Sequence, residues 1–270
     1  MQIAVLGVVV VGQTLVLLTR SIDMSVGAVM GLGAVIVVQT TGQSILLSVI
    51  IAIVIAAAIG LGNGLLITKR NVPPFVATFG MMIFVEGARL AVTKGQVSGT
   101  VPVFLRKISI EPVWIIPAGI IVLLIVNLII NTLLTRTRFG RWIYAVGGNP
   151  SATYYSGINI DMVTIVAHVL CSLFALLGGL LLSGYIGYVD LGLGANYNMS
   201  AVAAAIIGGT MLIGGRGNLL GSFAGVTLYV ILLNLVVVMG LAIHWQYVVQ
   251  GLMLVLATGL QGYRQHRLNK

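Results

Sequence analysis

Five acidic residues, three histidines and one cysteine are the side chains here with the usual equipment for catalysis. Their spacing argues against it. Asp23, Glu86, Glu111, Asp161 and Asp190 are widely separated, so no carboxylate pair is set up for general acid–base work. His168, His244 and His266 do not fall at metal-ligand spacing. Cys171 has no second cysteine, which excludes an intrachain disulfide and a Cys-rich metal site. No glycine-rich stretch ends in Gly-Lys-Ser/Thr, so the chain lacks the usual ATP-binding loop. The run Gly214-Gly215-Arg216-Gly217-Asn218-Leu219-Leu220-Gly221 has the wrong spacing for a dinucleotide fingerprint and follows no strand pattern. It reads as a turn through 214–217 and then a helix with Gly217, Gly221 and Gly225 along one face. Gly27 and Gly31 have the same four-residue interval, and small residues so placed let helices approach closely.

The remaining polar groups suggest recognition and movement instead. Glu86 stands three residues before Arg89 on one helix face, and Glu86 alone among the acids is expected at depth. Charges inside a membrane are costly and mark candidate function, but an ordinary structural pair with Arg89 reaching outward fits as well. His168 lies in an apolar run, where a hydrogen bond to a neighbouring helix is the expected role.

The longest polar stretch, about 136–159, holds Arg138-Phe139-Gly140-Arg141 and Gly148-Asn149-Pro150, then Tyr154, Tyr155 and Gly157. Asn149 can cap a helix with Pro150 at its first position, and Gly157 can close it. That predicts a short helix over 150–156 carrying an exposed tyrosine pair, suited to docking a partner. An interfacial helix resting on lipid headgroups is the alternative.

The elements that carry these groups follow from composition. Hydrophobic residues are 59% of the 270 and charged residues 7%, against roughly a quarter charged in ordinary soluble domains. The chain must face lipid. Runs near 2–19, 24–40, 45–68, 72–92, 113–135, 160–183, 199–214, 218–240 and 245–260 approach the roughly 20 residues a span needs. The fold class is therefore all-α: one polytopic bundle over 1–270 of about eight or nine segments. The runs 24–40 and 199–214 are short enough to be broken or re-entrant.

Orientation follows from the basic residues. Nine crossings with the C-terminus inside place Arg20, Lys69, Arg70, Arg136, Arg138, Arg141, Arg216, Arg264, Arg267 and Lys270 in the cytoplasm. Lys94, Arg106 and Lys107 fall outside. Trp114 and Trp245 then open spans at the outer interface and Trp142 sits at the inner one. The net charge of +9 is explained by this topology without nucleic acid. The first run lacks the basic start and small-residue cleavage site of a signal peptide, so it reads as a retained helix. Nine crossings also leave Met1 outside, which leads us to expect a further helix upstream.

Asp23-Met24-Ser25 and Asn198-Met199-Ser200 open the two short runs and form a faint internal echo. Inverted repeats with broken helices near the midplane would produce it, as would two ordinary caps. A neutral polar solute crossing the bundle would need neutral donors and acceptors along its route. The candidates are Gln13, Thr14, Asp23, Ser25, Asn63, Thr78, Asn198, Ser200 and Thr210. The alternative is that these groups bond helices together.

Several segments resemble the membrane permease subunits of bacterial ABC importers for ribose, xylose and related small sugars. Gly12-Gln13-Thr14-Leu15 with 19–27 (TRSIDMSVG) is similar to that family's G-x-T-x-V-x-x-x-G-G-I-D-L-S-V-G stretch. Asn63-Gly64-Leu65-Leu66 and Val72-Pro73-Pro74-Phe75-Val76-Ala77-Thr78-Phe79-Gly80 resemble its P-P-F-I-A-T-L-G segment. Arg138-Phe139-Gly140-Arg141 with Gly148-Asn149-Pro150 and Ser156-Gly157-Ile158-Asn159 is similar to its cytoplasmic coupling loop. Ala203–Gly209 with Thr210, Gly214-Gly215-Arg216-Gly217 and Gly221 resembles its glycine-rich run. The chain departs at Glu86, where many members carry Arg. It departs again at Ser151-Ala152-Thr153-Tyr154-Tyr155, where an acidic-alanine start and a basic residue are usual.

The resemblance implies an importer of the bacterial inner membrane. Two permease subunits, identical or paralogous, would form the pathway, separate cytoplasmic ATPase subunits would hydrolyse ATP, and an extracytoplasmic binding protein would deliver the sugar. It implies no catalytic residue, metal or cofactor in this chain. A branched-chain amino-acid permease is the nearest alternative. An ion-coupled transporter fits less well, because one deep carboxylate beside an arginine makes a poor ion site. A membrane enzyme fits least.

Overall fold

A computed structural model describes residues 1–40, 44–97, 99–242 and 244–268. The apolar runs fold as helices: α1 Gln2–Leu18, α2 Val26–Thr40, α3 Ile45–Lys69, α4 Pro74–Thr93, α5 Val103–Ile110, α6 Ala118–Arg136, α7 Arg138–Gly148, α8 Pro150–Tyr155, α9 Ile160–Ile186, α10 Tyr197–Ile207, α11 Leu219–Val238 and α12 His244–Leu268. A two-residue hairpin, β1 Pro112–Val113 with β2 Ile116–Pro117, precedes α6. Five helices (α3, α4, α6, α9 and α11) are long and apolar enough to cross a membrane, while α1, α2 and α10 are shorter apolar helices. The protein is an all-α polytopic membrane bundle.

Local chemistry sets the helix ends. Pro74 and Pro150 occupy first-turn positions, where a missing N–H is harmless. Asn149, Asn159 and Asn218 cap α8, α9 and α11 by accepting from Ala152, Met162 and Gly221 N–H groups. Gly187 ends α9 in the left-handed conformation.

The core is built on α1, whose residues from Ala4 to Leu18 are all buried. It packs on α9, α11, α10 and α6, and α9 also covers α2, α3 and α5. A helix that is apolar all round must be enclosed by protein or lipid. Here the central helix is enclosed by protein. The outward sides of α3, α4, α6 and α11 expose residues such as Leu46, Phe84, Leu128 and Leu220, as lipid-facing surface should.

Arg20 and Lys69 lie at one end of the bundle, and Arg106 and Lys107 on α5 at the other. At one end Leu18 C=O accepts from Gly215 N–H, and Lys69 meets Asp161 at 2.6 Å. At the other end Met1, Ser109 and Gly119 adjoin, and Gly184 abuts Leu105 and Ser109. Lys270 and the side chains of Arg264, His266 and Arg267 lie outside the described residues.

Three local expectations are corrected. Residues 136–159 form two helices, α7 and α8, where a looser segment with one short helix was expected. Gly217 precedes α11 and lies against Thr210, with φ +147°, so it is not on a helix face with Gly221 and Gly225. Asn218 caps at that point and delays the helix by two residues. The run 199–214 ends as a helix at Ile207, because Gly208, Gly209 and the Gly214–Gly217 turn follow.

Candidate functional site

Three clusters at different depths hold nearly all the candidate residues. The first begins at Thr137, which caps α7 by accepting from Gly140 N–H. Gly140 lies against the Leu133 and Leu134 carbonyls at the sharp α6–α7 turn. Arg138, Phe139 and Arg141 occupy the first turn of α7. At the far end of α7, Arg20 adopts φ +63° and reaches back with its fork. Its Nε donates to Gly147 C=O at 2.7 Å and its Nη2 to Gly148 C=O at 2.8 Å. A cation on helix C-terminal carbonyls is favourable through both charge and hydrogen bonding. Tyr144 Oη donates to Gly217 C=O at 2.9 Å, and burial holds its phenol above the ordinary pKa. The α1–α2 break, α7 and the glycine-rich loop are thereby tied together.

Beyond α7, Asn149 and Pro150 start α8, and Gly157 at φ +76° donates to Tyr154 C=O. Thr153 is buried while Tyr154 is 69% and Tyr155 86% exposed, their rings edge to face. The exposed pair stands at the end of the bundle that carries the basic residues.

The second cluster fills the break between α1 and α2. The Asp23 carboxylate accepts from Ser25 N–H at 2.8 Å, Ser25 Oγ at 2.6 Å and Asn63 Nδ2 at 3.4 Å. His168 Nδ1 faces the same carboxylate at 3.2 Å, and its Nε2 meets Ser21 Oγ at 2.8 Å. Gln13, with its amide turned to suit its neighbours, pairs with both the N–H and the C=O of Asp23. Thr78 Oγ1 accepts from Met24 N–H at 3.1 Å. Gln13, Asp23, Ser25, Asn63, Thr78 and His168 are all fully buried. The break is therefore a packed polar node joining α1, α3, α4 and α9. Asp23 is fully buried, which corrects the expectation that only Glu86 would lie at depth, because residues 23–25 turn into the bundle instead of reaching its surface.

The third cluster surrounds α10. Asn198 Oδ1 accepts from Gly27 N–H at 2.6 Å. Gly27 is pressed on Gly194 C=O and Asn198, and Gly31 on Leu193 C=O and Arg89, where a side chain would not fit. Arg89 is buried and donates to Leu191 C=O at 2.6 Å and Leu193 C=O at 3.3 Å. Among the described residues it forms no salt bridge with Glu86, and it turns inward onto 188–196 instead of snorkelling. That segment offers carbonyls that no helix satisfies.

On the inner side of α10, Gly208 meets Gly221 and Gly225, and Thr14 Oγ1 donates to Ser222 Oγ at 2.9 Å, which contacts Thr210 Oγ1 at 3.1 Å. Toward the other end, Tyr229 Oη donates to Ser200 Oγ at 2.8 Å. By helical rise Tyr229 stands ~15 Å above Leu219, so α10 begins about halfway along α11.

Over that start opens a cavity of about 390 Å³ lined by Gln2, Leu6, Asn196, Tyr197, Ser200, Tyr229, Val230, Leu233, Asn234, Val237 and Gln246. Of the sequence candidates only Ser200 lines it. Gln2, Asn234 and Gln246 were missed, although amides near the outer ends of apolar runs were a readable signal. Among the described residues no group of three or more His, Cys, Asp or Glu could hold a metal.

A family described as "Branched-chain amino acid transport system / permease component" matches residues 1–258. The chain is 32% identical over 277 residues to the ribose import permease protein RbsC of Escherichia coli (strain K12), covering 98% of this chain and 84% of that one. It is 34% identical over 260 residues to RbsC of Bacillus subtilis (strain 168), covering 95% and 81%. To the fructose import permease protein FrcC of Rhizobium meliloti it is 32% identical over 271 residues, covering 96% and 75%. No solved structure matches.

Proposed function

The chain belongs to the branched-chain amino acid transport system / permease component family, and on that premise we propose that it is the membrane-spanning subunit of an ATP-driven importer for a small sugar such as ribose or xylose. It is a multi-pass protein of the inner membrane, a transport component and not itself the hydrolytic one. Its partners in this reading are a second permease subunit, identical or paralogous, and cytoplasmic ATPase subunits. An extracytoplasmic binding protein delivers the sugar, and lipid surrounds the bundle.

The observation that carries the reading is the division of labour between the two ends of one bundle. A neutral polar vestibule opens at the end bearing α5, and a capped helix with an exposed tyrosine pair stands at the basic end. ATPase closure would press α8, and α7 would pass the displacement through Arg20 to the α1–α2 break. The buried Gln13, Asp23, Ser25, Asn63 and Thr78 node would then shift as a unit, tilting α2 against α9. The route we assign runs from the vestibule past Asn198 and Ser200 along α10 to Thr14 and Thr210. A zwitterionic amino acid is the second reading that the family description admits, but among the described residues the vestibule lining holds amides and hydroxyls and no charged side chain.

Replacing Tyr154 and Tyr155 with Ala tests the coupling half. Co-purified ATPase should fall at least several-fold while membrane insertion persists. ATPase recovery at the wild-type level would remove α8 from the coupling role.

A further inference from the structure

We propose that the vestibule over the start of α10 is a substrate subsite of the permease, holding one neutral polyhydroxylated molecule on the amides of Gln2, Asn234 and Gln246 and rejecting charged ones. This rests on the sugar-import reading and adds that the membrane subunit selects its substrate too.

The three amides come from α1, α11 and α12 and share one bonding pattern. Asn234 Nδ2 donates to Gln2 Oε1 at 2.9 Å and to Val230 C=O at 2.9 Å. Gln246 Nε2 donates to Leu233 C=O at 3.4 Å. Each amide thus spends one end on protein. Among the described residues the other ends, Gln2 Nε2, Asn234 Oδ1 and Gln246 Oε1, make no protein hydrogen bond. They offer donors from one helix and acceptors from two others around a single cavity.

A hydroxyl donates and accepts at the same oxygen, so a polyol can satisfy all three groups at once. Ser200 plays a different part. Its Oγ donates to Asn196 C=O at 2.7 Å and accepts from Tyr229 Oη at 2.8 Å and Gln250 Nε2 at 3.3 Å, so it is saturated and forms a fixed floor. The volume of about 390 Å³ is at the small end of the roughly 300–1,000 Å³ typical of small-molecule sites, which suits one monosaccharide.

Charge exclusion follows from the same lining. Among the described residues no Lys, Arg, His, Asp or Glu borders the cavity, so a phosphate, carboxylate or ammonium would enter without a counter-charge. Because Gln2, Asn196 and Asn234 remain open to solvent, water competes for the amides and the hold is weak. A weak hold suits a subsite that must release its cargo inward.

The test uses the assembled permease–ATPase complex without its binding protein, probed by saturation-transfer NMR with D-ribose, D-xylose, D-fructose and D-galactose. At least one should give a ligand signal that the Asn234→Leu/Gln246→Leu double variant loses, and D-ribose 5-phosphate should give none. In proteoliposomes with loaded binding protein, the double variant should import at least tenfold more slowly while stimulated ATP hydrolysis stays within twofold. Asn127→Leu, the same change on α6, should import normally. If the Leu pair fails to assemble, Asn234→Ala/Gln246→Ala replaces it with the same expectation. Unaltered sugar signals and import in the double variant, or an equal signal from D-ribose 5-phosphate, would overturn the subsite. A wild-type complex that imports none of the four sugars would instead defeat the import reading beneath it.

Discussion

The side-chain oxygen of Asn198 accepts the backbone N–H of Gly27 at 2.6 Å, so the first turn of α10 caps the first turn of α2 across 171 residues of sequence. Both short helices begin inside the bundle, and each start lies against the other. A buried N–H without this acceptor has no water to turn to. Asn198→Ala should therefore lower stability by about 1–3 kcal/mol, whereas Asn198→Asp, which keeps an acceptor, should recover part of the loss. Thermal unfolding in detergent measures it, and equal midpoints for Ala and wild type would contradict the cap.

Arg20 makes a two-pronged link between the α1–α2 break and the end of α7. Arg20→Lys keeps the charge but cannot reach both Gly147 and Gly148 carbonyls from a fixed fork. We expect the complex to assemble and hydrolyse ATP while sugar moved per ATP falls several-fold. An unchanged ratio would take Arg20 out of the coupling path.

The Asp23–His168 pair is fully buried, so removing one member leaves the other with one buried polar atom short of a partner. His168→Leu removes one hydrogen-bond partner of a buried carboxylate and should destabilise by about 1–3 kcal/mol. Asp23→Asn keeps the shape and the acceptor for Ser25 N–H, so it should cost much less. Detergent unfolding midpoints in the reverse order would show that the node does not depend on this pair.

Topology can be read with single introduced cysteines, because Cys171 is fully buried and should stay silent. Ser151→Cys on α8 should react only from the cytoplasmic side and Arg106→Cys on α5 only from outside. Labelling of both from one side would break the assignment of α6 as a crossing.

The spans were readable in the chain because lipid demands unbroken apolar runs, and α3 at Ile45–Lys69 lies within a residue of its run. The cap and closure of α8 were also readable, since Asn149, Pro150 and Gly157 act on near neighbours. Less accessible was anything joining distant segments. No local pattern links Asp23 to His168 or Arg89 to the carbonyls of Leu191 and Leu193, because those partners are chosen by packing. The adjacency of Glu86 and Arg89 on one helix suggested a pair, but the unsatisfied carbonyls of 188–196 attract the guanidinium. The vestibule amides went unseen for the same reason, since three scattered residues meet only after the helices assemble.

Import by the reconstituted complex tests the central claim most directly. The permease, its ATPase subunits and the sugar-loaded binding protein would be placed in sealed vesicles, with radiolabelled sugar uptake followed. The account predicts accumulation that requires ATP on the α8 side, is indifferent to proton or sodium gradients, and is not reproduced with leucine. Uptake driven by an ion gradient without ATP, or uptake of leucine in place of every sugar, would contradict it.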